Sequence, residues 1–136
     1  MVSACGVLCS DCAAYHGREK GKAYQRRAAA AWQRIWGRQG RPEQMACHGC
    51  TGPDGEVFRT SLRCRARRCC LAKGLSNCAE CPVDQCPDLE RAQSVWDGVP
   101  AVAATLSPED RALYATPYCG PRERLAAQRG RFRRQA

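Results

Sequence analysis

Large apolar side chains are scarce in this chain. Val, Leu, Ile, Met, Phe, Trp and Tyr together number 27 of 136 residues, and Ile occurs once. The nominal hydrophobic share of 44% is filled out by 21 Ala and 12 Cys. A fifth of large apolar residues is near the composition at which an ordinary core no longer suffices, so cohesion must come from another source. No apolar run approaches the ~20 residues of a membrane span, which argues against helical insertion in a bilayer. The stretch Met-Val-Ser-Ala-Cys-Gly-Val-Leu-Cys at residues 1–9 has neither the basic n-region nor the apolar h-region of a secretory signal. A cytoplasmic location is therefore expected, where thiols stay reduced. No acid–base pair is discernible, so the expectation leans away from an enzyme. No internal repeat is visible.

Thiol is what the chain has in excess. Three Cys-x-x-Cys stretches occur, Cys9/Cys12, Cys47/Cys50 and Cys78/Cys81. Each has company: Cys5 before the first, Cys64 and Cys69 after the second, Cys86 after the third. Two intervening residues let one turn of backbone aim both sulfurs at a point about 2.3 Å from each, as a tetrahedral metal needs. The same closeness suits a structural disulfide poorly, because its Cα atoms usually bridge separate elements. Metal–thiolate bonds are thus the expected staple, and structural zinc supplies on the order of 10–16 kcal/mol in small peptides.

The formal charge of +9 counts every thiol as neutral, and two four-thiolate zinc sites at −2 each would bring it to +5. The basic residues are unevenly spread. Residues 18–41 hold eight basic and one acidic, 59–73 hold six basic and no acidic, and the stretch from 121 has six Arg against Glu123. Residues 74–110 reverse the sign, with seven acids and only Arg91. Positive faces attract phosphate backbones, which makes Arg65, Arg67, Arg68, Arg129, Arg131, Arg133 and Arg134 candidate nucleic-acid contacts. An Arg/Ala-rich compositional bias explains the same surplus, since 19 of the 22 basic residues are Arg.

Cys5, Cys9 and Cys12 are spaced by four and three, so a helical turn would gather them on one face, with Gly17 and Gly21 breaking the pattern after Tyr15. Residues 22–36 carry the strongest helical period: Tyr24, Ala28, Ala31, Trp32 and Ile35 form an apolar stripe that Gly37, Gly40 and Pro42 end. Trp32 and Trp36 are read as packing residues rather than a base-stacking platform. Cys47-His-Gly-Cys50 reads as a knuckle in which Gly49 takes unusual backbone angles. Turn residues follow at 51–56, and Val57 and Phe58 are expected to begin a short strand. Residues 62–73 are helix-like, closed by Gly74. Cys64 and Cys69 are about 140° apart around a helix, so if both ligate, Cys64 must precede the first turn. Pro87 suits a first helical position, with Leu89, Ala92, Val95 and Trp96 as a buried side up to Gly98. Ser107-Pro-Glu-Asp110 reads as a capped helix start, residues 116–121 as a turn, and 122–134 as a basic helix.

The order Cys-Gly-x-x-Cys-x-x-Cys-x-Ala-Tyr, a Trp-bearing helix, Cys-x-Gly-Cys, Cys-x4-Cys ahead of Lys-Gly, and Cys-x-x-Cys-x4-Cys-Pro resembles the prokaryotic cysteine-rich family called domain of unknown function 3795. The resemblance runs from Cys5 to about Glu90 and implies zinc binding but no activity. It places ten cysteines on the family pattern: Cys5, Cys9, Cys12, Cys47, Cys50, Cys64, Cys69, Cys78, Cys81 and Cys86. Cys70 and Cys119 fall outside it and are expected not to ligate. The sequence departs from the family between Cys64 and Cys69, where Arg-Ala-Arg-Arg replaces the usual aliphatic residue.

The preferred partition is one site from Cys47, Cys50, Cys64 and Cys69, and a second drawn from Cys5, Cys9, Cys12, Cys78, Cys81 and Cys86. His16 and His48 are spare ligands, with His48 expected to face solvent. The expected fold is small, α-rich, loop-heavy and metal-stabilised, its helices joined by Cys knuckles with at most one short β-hairpin. Residues 1–98 form the Cys-rich metal-binding domain, and 99–136 a helical C-terminal extension with a basic tail. The expected role is a zinc-binding scaffold with two or more ions and a protein partner. The alternative is an iron–sulfur redox or electron-transfer protein: Cys5-x3-Cys9-x2-Cys12 is similar to radical-SAM motifs, although this strand-poor chain cannot build their barrel. Nucleic-acid binding is the third reading. A thiol enzyme using Cys5, Cys70 or Cys119 is a further one, with Cys70 beside Arg67 and Arg68.

Overall fold

The computed structural model describes residues 1–37 and 40–135. Arg38, part of the first basic stretch, lies outside the described residues. Six α-helices and short 3-10 turns account for the regular structure, and among the described residues the only β pairing is the single bridge Val2–Leu8. The α-rich, loop-heavy expectation holds. The short strand at Val57 and Phe58 does not form; a 3-10 turn over Arg59–Arg63 follows instead. Phe58 turns its ring onto Trp32, 5.5 Å between centroids, and that packing outweighs its preference for an extended ladder.

Helix α1 spans Ala13–Trp36 and is two arms joined at Gly21, whose φ of 82° and ψ of 178° are not helical. The second arm is the expected helix over 22–36. It buries Ala28, Ala29 and Trp32, and Gly37 closes it in the left-handed conformation with its N–H on the Gln33 carbonyl. Gly17 does not break the first arm. It lies buried inside it, against the backbone of Met45: a Cβ there would meet the Met45 carbonyl oxygen at 1.6 Å. The Cys47 N–H then bonds the Ala14 carbonyl at 2.9 Å. The glycine thus lets the chain before the knuckle lie flat on the helix.

Helix α2 (Arg65–Lys73) begins one residue after Cys64, which is extended, and ends at left-handed Gly74. Helix α3 (Pro87–Ser94) starts on proline as expected but stops before Val95, which is 65% exposed and leaves the buried side. After α4 (Val99–Ala103), the Ser107 hydroxyl caps α5 (Pro108–Tyr114) by accepting the Asp110 N–H. A 3-10 turn, Thr116–Tyr118, leads into α6 (Pro121–Gln135).

Two cores result. The first is aromatic: Trp32 packs against Trp36, Phe58 and Tyr118, and Trp96 stacks on Tyr118. The second consists of Ala4, Ala66, Cys70, Cys78, Ala79 and a single large residue, Leu125. The segment 2–9 belongs to both, with Ala4 in the second core and Val7 in the first.

Candidate functional site

Two groups of thiols are distinguishable, and they do not sort by core: Cys50 and Cys64 of the first pack against the second core. In the first, Cys9 has Cys50, Cys12 and Cys47 as like-charged neighbours, while Cys50 has Cys5 and Cys64. Backbone amides face these sulfurs. Gly49 and Phe58 donate to Cys47 at 3.4 and 3.3 Å. Gly49 sits at φ 86°, the left-handed turn the knuckle requires. A phenol completes the set, with Tyr118 Oη 2.6 Å from Cys12 Sγ.

Arg67 fixes the knuckle from behind. It is 2% exposed, and its guanidinium donates to the Cys50 carbonyl at 2.6 Å, the Gly52 carbonyl at 2.9 Å and Asp54 Oδ1 at 2.8 Å. The departure Arg-Ala-Arg-Arg between Cys64 and Cys69 therefore has a use: a cation at the first helical turn organises the ligand loop. His48 pairs loosely with Glu56, 3.8 Å away, and is 43% exposed, as expected of a histidine facing solvent.

The second group rings a cavity of about 30 Å³ lined by Cys69, Cys70, Cys78, Cys81 and Cys86. Cys70 and Cys78 bring their sulfurs to 3.5 Å. The structure therefore divides the thiols differently from the expected partition. Cys69 stands with Cys78, Cys81 and Cys86, not with Cys47 and Cys50. Cys64 stands in extended backbone ahead of α2, whereas Cys69 is carried on the helix itself and is exposed. Cys70, expected to stay apart, joins the second group. Cys119 joins neither; it packs against the aromatic core and its carbonyl accepts from Arg124.

Burial pushes the Cys9 thiol up to about 12 and Cys50 to about 11, and raises Cys12, Cys70 and Cys78 as well. For Cys70, the thiol-enzyme candidate beside Arg67 and Arg68, desolvation dominates, and the Arg67 guanidinium turns to the Cys50 carbonyl. Burial also holds the Tyr118 hydroxyl well above its ordinary value, so it remains a donor.

As the side chains stand, no three His, Cys, Asp or Glu among the described residues form a group able to hold an ion. The donor chemistry and surroundings nevertheless suit one. The Nε of Arg129 is buried without a partner beside the second cavity, a cationic donor at a place that five thiols surround.

The arginines proposed as nucleic-acid contacts are mostly engaged within the molecule. Arg67 is buried; Arg65 lies 3.8 Å from Asp88; Arg68 donates to the Leu62 carbonyl; Arg129 and Arg133 both reach Asp84. Arg131 and Arg134 remain exposed at the end of α6. No helix among the described residues is long and apolar enough to cross a membrane.

The chain matches the family described as Protein of unknown function (DUF3795) over residues 1–91. No curated protein and no solved structure matches it.

Proposed function

Because the chain belongs to this DUF3795 family, for which no activity is assigned, we propose that it is a metal–thiolate scaffold whose two cysteine groups each hold zinc. The first centre draws on Cys5, Cys9, Cys12, Cys47, Cys50 and Cys64. The second uses Cys69, Cys78, Cys81 and Cys86, with Cys70 as a spare thiol. Zinc would supply closed, redox-inert tetrahedral cross-links with no open position for chemistry. The product is a rigid surface for a protein partner rather than a reaction. The observation that carries this reading is the ring of thiols around the second cavity, which the half-buried Arg129 borders with an unpartnered Nε–H.

Elemental analysis of anaerobically purified protein tests it. Two zinc per chain, without visible absorption near 400 nm, is the expected result; iron with such absorption would replace it by the iron–sulfur reading. The two centres separate by mutation. Cys47→Ser and Cys69→Ser are each expected to lose one equivalent, and the double variant both. Had Cys47 and Cys69 shared a site, the double variant would lose no more than either single one.

Proton release gives a second check. Each thiol must shed its proton to ligate. Below its pKa the protonated form dominates, so raising pH removes the competing proton and strengthens binding. With Cys9 and Cys50 raised to about 12 and about 11, apparent affinity at the first centre should keep climbing beyond pH 9, where unshifted thiols would level off. Chelator competition between pH 7 and 10 reads this directly, and a plateau at pH 9 would contradict it.

A further inference from the structure

The stretch that follows the family segment is built into both thiol groups. Its Tyr118 is 4% exposed, its ring stacked on Trp96 at 4.9 Å and edge-on to Trp32 at 5.6 Å. The hydroxyl of so fixed a ring has one partner, Cys12 Sγ at 2.6 Å. A neutral thiol is a weak acceptor for a buried phenol, whereas a thiolate is a strong one. At the first residue of α6, the Cβ that Gly6 lacks would strike the Pro121 carbonyl oxygen at 2.2 Å. Arg124 donates to the Gly6 carbonyl, and the Leu8 N–H reaches Pro117 at 2.9 Å. Farther along the same helix, Arg129 donates to the Cys78 carbonyl at 3.0 Å and lies 3.6 Å from Asp84. Its Nε–H, buried and without a partner, borders the cavity of the second group.

We propose that the C-terminal extension supplies the outer-sphere donors of both centres: Tyr118 hydrogen-bonds the Cys12 sulfur of the first, and Arg129 offsets the thiolate charge of the second. This rests on the metal-scaffold reading above and adds to it a role for residues beyond the matched segment 1–91. A tetrathiolate zinc centre carries a net −2, and burying that charge is unfavourable without a nearby cation. Donors of this kind orient ligands and tune the metal, and their removal typically costs 10–100-fold in affinity. Both residues are positioning residues; neither need touch the ion.

The experiment uses the full chain loaded with cobalt(II), whose thiolate charge-transfer bands report the sulfurs directly. Tyr118→Phe keeps the ring stack and removes only the hydroxyl. It is expected to weaken one of two equivalents about tenfold in chelator competition and to shift the bands of that centre, with the melting temperature of the loaded protein little changed. Arg129→Gln is expected to weaken the other equivalent similarly. Arg129→Lys retains the charge and should recover most of the loss, which also separates electrostatics from misfolding. If both variants hold two equivalents with unaltered affinity and bands, the inference is overturned and the scaffold reading stands. An effect in only one variant overturns the assignment at the other centre. If the native chain takes up no cobalt, the scaffold reading falls and carries this one with it.

Discussion

Stripping metal from the reduced protein is expected to abolish its cooperative unfolding transition. The second core explains the size of the effect. Its buried members are Ala4, Ala66, Cys70, Cys78, Ala79 and Leu125. Alanine and cysteine bury little area, and among the fully buried members only Leu125 brings the roughly 1.5–3 kcal/mol of a large apolar side chain, with Val2, Leu75 and Leu89 adding partly buried area. Loss of structural zinc removes on the order of 10 kcal/mol, as much as the whole net stability of an ordinary domain. The aromatic core around Trp32 should keep a collapsed helical remnant, so far-UV circular dichroism will fall less than the near-UV signal. A strong chelator with reductant, followed by thermal melting watched by both signals, checks this. Retention of a sharp transition in the stripped protein would refute the view that thiolate bonds hold the second half together.

Gly17→Ala is expected to damage the first centre without touching the second. A Cβ at this position would stand 1.6 Å from the Met45 carbonyl oxygen, and backbone on both sides leaves no flexible side chain to yield. Overpacking of this sort costs on the order of 3 kcal/mol. The damage is also directional. Met45 is fully buried and lies two residues before Cys47, whose N–H is bonded to the Ala14 carbonyl. Pushing residues 45–47 off α1 moves Cys47 away from Cys9 and Cys12. The variant should hold one metal equivalent instead of two and melt earlier. Two equivalents at native stability would show that this contact does not position the knuckle.

Part of the architecture is legible in the chain because its causes are local. The stripe from Tyr24 to Ile35 needs only helical period, Gly74 and Ser107 need only cap chemistry, and the 140° between Cys64 and Cys69 needs only helix geometry. That last relation already requires Cys64 to sit outside α2, as it does. It does not say which other cysteines each will meet. The answer depends on residues 2–9, which touch both cores and meet Cys78, Pro117 and Arg124 from far along the chain.

Gly17 illustrates the same limit: a glycine amid helix formers reads as a break, while its use is a close approach by a remote strand of backbone. The arginines raise a separate point. Composition counts a cation without showing its partner. The acidic stretch 74–110 was the available signal, since Arg122 binds Glu90 and Asp97, while Arg129 and Arg133 bind Asp84. Tyr118 offered no comparable sign, because a Thr-Pro-Tyr turn carries nothing to mark its hydroxyl as a sulfur's neighbour.

The seat of Gly6 against Pro121 bears on how the protein is made. Arg124 grips the Gly6 carbonyl across 118 positions of chain, and the Cys78 N–H bonds the Ala4 carbonyl from much farther along the chain than any local turn. During synthesis, residues 4–9 emerge from the ribosome long before anything exists to hold them. Their thiols must wait, reduced and unsheltered, until α6 has been translated. Contacts this remote close slowly, so the nascent polypeptide passes through a window of exposure to oxidants and stray ions that ends only when its last helix docks.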